Sequence, residues 1–474
     1  MTRIYADFLT TKHAAAVPTG FTVADGDLNP RLMAFQRRIV PWATRLGRAA
    51  IFSECGTGKT LMQLEWGRLV HRHTRKPILL LCPLAVAWQT KAEAEKFQIG
   101  SEVKVCREQA DVIDGINITN YERLHLFDAE EFGGIVLDES SVLKNYTGKT
   151  KQQLCNLFTQ TPFRLCCTAT PAPNDRMELG NHAEFLGVMP SSEMLSRWFI
   201  NDTMKAGGYR LRSYAKNDFW RWVASWSVCV TKPSDIGCDD EGYDLPELIV
   251  HEHITRDETT AEGFLFNTGN AVSATTVHRE KRISLAAKVK VVEGLVLGDK
   301  NKAPWTIWCG TDYEADALIK ALRGASGGMV EVRGSQKPEQ KEAGLRSFSE
   351  CKSRIIVTKA SLGGFGLNWQ HCHQTVWFAS FSYEEWYQAI RRLWRFGQKN
   401  AVHCHCLLSE AEQSIKKAIE RKQKEHAEMQ EEMRSLMHEA MQSLWGGNNR
   451  PTKYTNTLRV GTPSWLHSKT LKTK

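Results

Sequence analysis

The sequence predicts an α/β fold of two parallel-sheet lobes in tandem, with a helical region between them and a long helix after the second. Three observations carry this. A glycine-rich loop sits between a short apolar run and a helix-forming stretch; β-rich runs recur between amphipathic segments at crossover spacing; and the same alternation begins again near Trp305.

Residues 1–30 read as an N-terminal arm and 31–175 as the first lobe. The apolar run Ala49–Phe52 leads into Ser53-Glu54-Cys55-Gly56-Thr57-Gly58-Lys59-Thr60, and helix-forming residues follow from Leu61. Strand, glycine loop and helix in that order form a cradle for a nucleotide triphosphate. Backbone N–H groups around Gly56, Thr57 and Gly58 face the phosphates, Lys59 reaches the β and γ oxygens, and the Thr60 hydroxyl can ligate Mg2+. The runs Ile78–Leu81, Ile116–Thr119, Ile135–Asp138 and Phe163–Thr168 are the further strands of this lobe. Ile135-Val136-Leu137-Asp138-Glu139 is an apolar strand ending in two carboxylates, suited to holding Mg2+ through Asp138 and to orienting the attacking water through Glu139.

Residues 176–282 read as helical elaboration and linker, with Trp198, Phe219, Trp220, Trp222 and Trp226 at helical spacing, which favours a small aromatic core over a base-stacking surface. The second lobe spans 283–408, with strands at Trp305–Cys309, Met329–Val332, Arg354–Thr358, Thr375–Phe378 and Ala401–Leu408. The segment Gln388–Gln398 reads as a helix that puts Arg392 and Arg395 three apart on one face, where two guanidinium groups can close on a γ-phosphate. Residues 409–445 read as one long helix, opened by a Ser409/Glu412 capping box and carrying a methionine stripe that includes Met429 and Met433. The tail 446–474 carries Arg450, Lys453, Arg459, Lys469, Lys472 and Lys474 with no acidic residue, as either a solvated tail or a polyanion contact.

Composition narrows the class. An apolar fraction of 42% and a charged fraction of 24% are those of a globular protein, and no apolar run approaches a membrane span. The N-terminus lacks the pattern of a secretory signal, and the cysteines include no Cys-x-x-Cys pair, so a reduced, cytoplasmic setting with free thiols is expected. The net charge of +9 is moderate for this size, but its uneven placement, with the basic tail, favours a polyanionic partner. His371-Cys372-His373 and His403-Cys404-His405-Cys406 suggest zinc at first sight. Neither has the usual gap within a ligand pair, and strand alternation would set His403 with His405 and Cys404 with Cys406, which favours packing.

Taken together, these motifs resemble a superfamily-two helicase-like ATPase of the Swi/Snf type, in a compact bacterial or bacteriophage-like form. The resemblance runs from about Arg31 to about Lys424. Gln36 resembles the adenine-reading glutamine; Cys82–Trp88, with Pro83 and Trp88, and Ile118–Glu122, with Thr119 and Asn120, resemble DNA-contacting segments. Asp138-Glu139-Ser140-Ser141 with Lys144-Asn145 resembles the acidic box, Thr168-Ala169-Thr170-Pro171 with Asn174 and Glu178-Leu179 the coupling motif, and Asp244-Leu245-Pro246 the junction before the second lobe. Ser361–Asn368, including Gly366 at the nucleotide, resembles one motif of the second lobe and Gln388–Gln398 the other. The resemblance implies two RecA-like lobes with ATP and Mg2+ in the cleft between them. It also implies a nucleic-acid strand across both lobes, held partly through Ser361 and Asn368, with double-stranded DNA favoured over single strands or RNA. Lys59, Glu139, Arg392 and Arg395 carry the chemistry on this reading. Strand separation remains the alternative to translocation, a weak-ATPase recruitment role is a further one, and a recruiting protein is left open. The acidic box ends Ser140-Ser141 where the family commonly has Ala-His, so Ser141 takes over any hydrogen bond there.

Overall fold

The structure is a computed structural model of the 474-residue chain. It describes residues 15–255 and 281–409 except 84–85, 145–147, 173–174, 203–207, 242, 364–366 and 379–381, together with Glu412, 420–421, 423–424 and 427–435. The strands are, in chain order, β1 (Arg48–Ser53), β2 (Ile78–Cys82), β3 (Val103–Val105), β4 (Ile116–Asn120), β5 (Gly134–Asp138), β6 (Phe163–Thr168), β7 (Phe199–Asp202), β8 (Gly208–Leu211), β9 (Ser227–Val230), β10 (Leu248–Thr255), β11 (Trp305–Cys309), β12 (Met329–Val332), β13 (Ile355–Lys359), β14 (Gln374–Phe378) and β15 (Val402–Ser409).

Two parallel sheets organise them. The first has the order β3-β4-β2-β5-β6-β1-β9, the second β10-β15-β14-β11-β13-β12, and β7 and β8 form a separate antiparallel hairpin. Strands buried on both faces lack polar alternation: all five residues of Ile78–Cys82 and of Trp305–Cys309 are buried, and the one hydroxyl among them, on Thr306, is hydrogen-bonded to Thr375. The expected two-lobe α/β architecture is therefore present, as two RecA-like lobes.

The region 176–282 departs from its helical reading. It does contain helices at Leu179–Leu186, Ser191–Trp198 and Lys216–Trp226. It also supplies the hairpin, the edge strand β9 beside β1, and the edge strand β10 beside β15. β9 is the fully buried Ser-Val-Cys-Val, following the preceding helix without a turn residue to announce it. β10 alternates along its length, with Val250, Glu252 and Ile254 outward. The expected aromatic core is present: Trp198, Phe219, Trp220, Trp222 and Trp226 are buried, and Trp198 stacks on Trp222 at 4.8 Å between centroids.

Ser409 closes β15 rather than opening a helix, although Glu412 Oε2 still accepts the Ser409 N–H at 2.8 Å. Glu412 also pairs with Lys288 of the helix Leu285–Leu297, both fully buried, which anchors the exit from β15. Of the residues beyond, 427–435 are helical, and Met429 and Met433 enter the core of the first lobe. Glu432 joins Lys216 at 2.6 Å and Arg176 at 3.2 Å. Residues 1–14 of the arm and the basic tail 446–474 lie outside the described residues.

Because Met433 is wholly buried, Met433→Ala should lower the stability of the first lobe by about 2–4 kcal/mol. This reads out as a lower urea midpoint at unchanged m-value; an unchanged midpoint would mean that the helix does not pack there.

Candidate functional site

Parallel pairing sets β5, β6 and β1 side by side, with Asp138 opposite Cys167 and Phe52 opposite Thr168. Their carboxyl ends thus bring the phosphate loop, Asp138-Glu139 and Thr168 to one edge of the sheet, the usual place for a ligand in such folds. The loop turns through Gly56 at φ +91° and Gly58 at φ +76°, values that strain any side chain. Ser53, standing where a glycine is common, shares a 2.5 Å hydrogen bond with Thr57 Oγ1, and that hydroxyl also contacts the Glu54 carbonyl at 2.7 Å. Lys59 opens the helix Lys59–Thr74 and folds back over the loop, donating to the Ser53 carbonyl at 2.6 Å and the Glu54 carbonyl at 3.1 Å. Gln36 donates to the Thr57 carbonyl at 2.9 Å and accepts from Met33 N–H at 2.9 Å, so its amide braces the loop.

Asp138 accepts from Gln63 Nε2 at 2.7 Å, and burial, with neighbouring Glu139 adding to it, pushes its carboxyl up to about 6. Tyr121 Oη donates to the Asp138 carbonyl at 2.8 Å. Glu139 stands in the left-handed region at φ 59°, a costly conformation for a residue with a side chain. Two hydroxyls hold its carboxylate there: Thr168 Oγ1 donates at 2.6 Å and Ser141 Oγ at 3.1 Å, both to Oε1. Ser141 therefore does take a hydrogen bond in the acidic box. A histidine reaches the box from elsewhere: His182 Nε2 lies 3.1 Å from Ser140 Oγ and its ring packs edge-on to Phe52.

The second lobe closes the cavity. Gln36, Gly56, Gly58, Lys59, Thr60, Asp138 and Glu139 line a volume of about 290 Å3 together with Asn368, Gln370, Arg392, Arg395 and Phe396. The helix expected over Gln388–Gln398 ends earlier: Tyr383–Ile390 is helical and residues 391–397 run through tight turns. Arg392 and Arg395 nevertheless converge, because Arg392 Nη1 and Arg395 Nη1 both donate to the Leu367 carbonyl, at 3.0 and 3.2 Å. Tyr243 stacks on Phe396 at 4.5 Å and meets Phe35 edge-on, adding an aromatic wall. Thr60 and Asp138 share this cavity as hydroxyl and carboxylate donors, which fits a hard cation such as Mg2+.

The residues expected at nucleic acid separate into three places. Pro83 and Ser361 line a second interlobe cleft of about 490 Å3 with Tyr121, Ser141, Lys144 and Lys341. Trp88, 41% exposed, lies with the buried Thr119 and Asn120 beside Arg107 and Arg123, facing Pro338, Glu339 and Glu342 of the second lobe. Asn120 Oδ1 caps the turn that follows it, accepting from Arg123 N–H at 3.0 Å. Asn368 belongs to the nucleotide-side cavity. Gly366, Asn145 and Asn174 lie outside the described residues. Sequence reasoning missed Gln63, whose signal was a polar side chain on the buried face of the phosphate-loop helix, and Tyr243, one residue before the junction motif.

Histidines 403 and 405 share a strand face, as alternation requires. They meet His251 and His253 across β10 and β15, with nitrogen separations of 2.9 and 3.0 Å. Among the described residues no group of three or more His, Cys, Asp or Glu is arranged to hold a metal. Every cysteine is a free thiol. No described helix is long and apolar enough to cross a membrane.

With this geometry in place, comparison with known proteins is informative. Residues 35–221 match the family model of the SNF2-related domain. The matching stretch is similar to an SNF2-related domain. It holds Gln36, the phosphate loop, Asp138-Glu139 and Thr168, and the Swi/Snf-type resemblance and the family match agree over it. Among solved structures, the chain is similar to the Sulfolobus solfataricus SWI2/SNF2 ATPase core in complex with double-stranded DNA. That match has 19% identity and a TM-score of 0.42, and covers 82% of this chain and 90% of that one. No curated protein matches.

His182, within the stretch that matches the family model, supplies a pH test. Burial holds its imidazole down to about 4, so between pH 6.5 and 4 the unfolded chain takes up a proton that the folded one refuses, and stability falls as pH falls. From pH 7 to pH 5 this contributes about 1–2 kcal/mol. In His182→Gln the loss of stability between those pH values should shrink by that amount, measured as urea midpoints at both; an equal acid slope would contradict the assignment.

Proposed function

We propose that the chain is a DNA-dependent ATPase motor that hydrolyses ATP with Mg2+ between its lobes and translocates on DNA, most readily on duplex. The observation that carries this reading is the convergence of Lys59, Thr60, Asp138 and Glu139 from one lobe with Arg392 and Arg395 from the other around one cavity. A phosphate-loop protein acting on a small molecule has no need of the second parallel-sheet lobe with its two inward arginines.

The residues divide the work. The Lys59 ammonium, held by the Ser53 and Glu54 carbonyls, exchanges them for the β and γ oxygens of ATP. Bound Mg2+, held through Thr60 and Asp138, would neutralise charge on those oxygens. Glu139, fixed by Thr168 and Ser141, orients the attacking water. Arg392 and Arg395 stabilise the charge spread over the transferred phosphoryl group, and they do so only when the lobes are together, which couples hydrolysis to closure. Glu139 and Pro83 border both the nucleotide cavity and the second cleft, so a strand gripped in that cleft lies against the hydrolytic carboxylate. Grip on phosphates makes binding salt-sensitive and largely independent of sequence.

ATP turnover should be strongly stimulated by duplex DNA and abolished in Lys59→Ala. Preference for single strands or RNA would replace translocation with strand separation, and no Lys59-dependent turnover with any nucleic acid would overturn the motor reading. Glu139→Gln should retain nucleotide binding while kcat falls by about a hundredfold or more; retention of turnover would remove Glu139 from the water-orienting role.

A further inference from the structure

Glu54, inside the phosphate loop, points away from the nucleotide cavity and into the second lobe. Tyr387 Oη donates to its carboxylate, 2.5 Å from Oε2, and Arg391 Nη2 stands 3.3 Å from the same oxygen. The Cys55 N–H donates to Oε1 at 2.7 Å, which ties the side chain back onto its own loop. Both partners come from the segment that continues into Arg392 and Arg395. Arg391 lies over the Trp394 ring at 4.4 Å, so its position is fixed from a second side. The loop itself abuts this segment: a Cβ added at Gly56 would stand 2.8 Å from Phe396 N, closer than side chains tolerate.

We infer that Glu54, Tyr387 and Arg391 form a latch that holds the phosphate loop against the second lobe and thereby positions Arg392 and Arg395 for the transition state. Glu54 is a positioning residue: it faces away from the phosphates and acts through the arginine-bearing turn. Burial alone would raise the Glu54 carboxyl, yet Arg391, Tyr387 and the Cys55 N–H outweigh it and hold the group below its usual value. The latch is thus an ionised contact buried across the lobes. A movement of the loop when phosphate replaces the carbonyls at Lys59 is transmitted to the turn through one rigid side chain. A cavity of about 640 Å3, bordered by Glu54, Tyr387, Arg391 and Trp394, lies on the far side of the contact from the nucleotide.

The catalytic part of this inference rests on the ATPase reading, and the test separates the two. Tyr387→Phe removes a single hydroxyl, and Glu54→Gln removes the charge at constant shape. In the full chain both should lower kcat for duplex-stimulated ATP hydrolysis, by about tenfold for Glu54→Gln, while KM for ATP changes less than twofold. The double variant should be no worse than Glu54→Gln alone, the mark of residues acting as a unit. Small-angle X-ray scattering without nucleotide should show a larger radius of gyration for each variant than for the parent, at a thermal midpoint showing that each variant is folded. Unchanged kcat in both variants, a loss confined to KM, or an unchanged radius of gyration would each overturn the latch. If the parent chain hydrolyses no ATP, the ATPase reading falls and scattering alone decides whether the contact holds the lobes.

Discussion

Parallel pairing of β5, β6 and β1 is the constraint on which the rest of the site depends. Parallel strands point their carboxyl ends the same way, so three turns distant in sequence emerge side by side, carrying the phosphate loop, the two carboxylates and Thr168. A one-residue slip between β5 and β6 would turn Asp138 to the other face and lose its contact with Gln63 on the loop's helix.

Burial shapes the charges that the sheets bring together. The Arg392 guanidinium is pushed down to about 10 by its burial, and Arg395 is lowered for the same reason. A cation that the protein solvates poorly gains most when an anion arrives, and on the proposed reading a phosphoryl group is that anion. Asp138 faces the opposite problem. Burial pushes its carboxyl up to about 6, a cost that a dication beside it would reverse. The site is set up electrostatically for a charged ligand on both sides.

The sequence was most readable where local chemistry dictates backbone. The glycine loop, the apolar strands ending in carboxylates and the aromatic core near Trp222 all rest on short-range patterns, and the structure places them as expected. Reading failed where context decides. Ser227–Val230 is too short and too closely joined to a helix for its period to show, and β10 reads as linker because its alternation is that of an edge strand. The period of the segment bearing Arg392 continues past Ile390, where the helix ends, and in the turns that follow the Arg392 guanidinium donates to the Leu367 carbonyl. Glu54 could not be assigned from sequence at all. A loop carboxylate is ordinarily solvated, and its partners lie more than three hundred residues away.

The connection between the lobes has a kinetic meaning. β9 ends at Val230 in the first sheet and β10 begins at Leu248 in the second, so residues 231–247 join the two sheets, Tyr243 within them stacks on Phe396, and the chain returns to the first lobe where Met429 and Met433 enter its core. A tether this short keeps each lobe at a high effective concentration for the other, in the millimolar range typical of short linkers. Contacts far too weak to join two separate proteins then suffice for repeated docking. Lobes tied in this way can part as readily as they meet, and the proposed cycle of hydrolysis needs both.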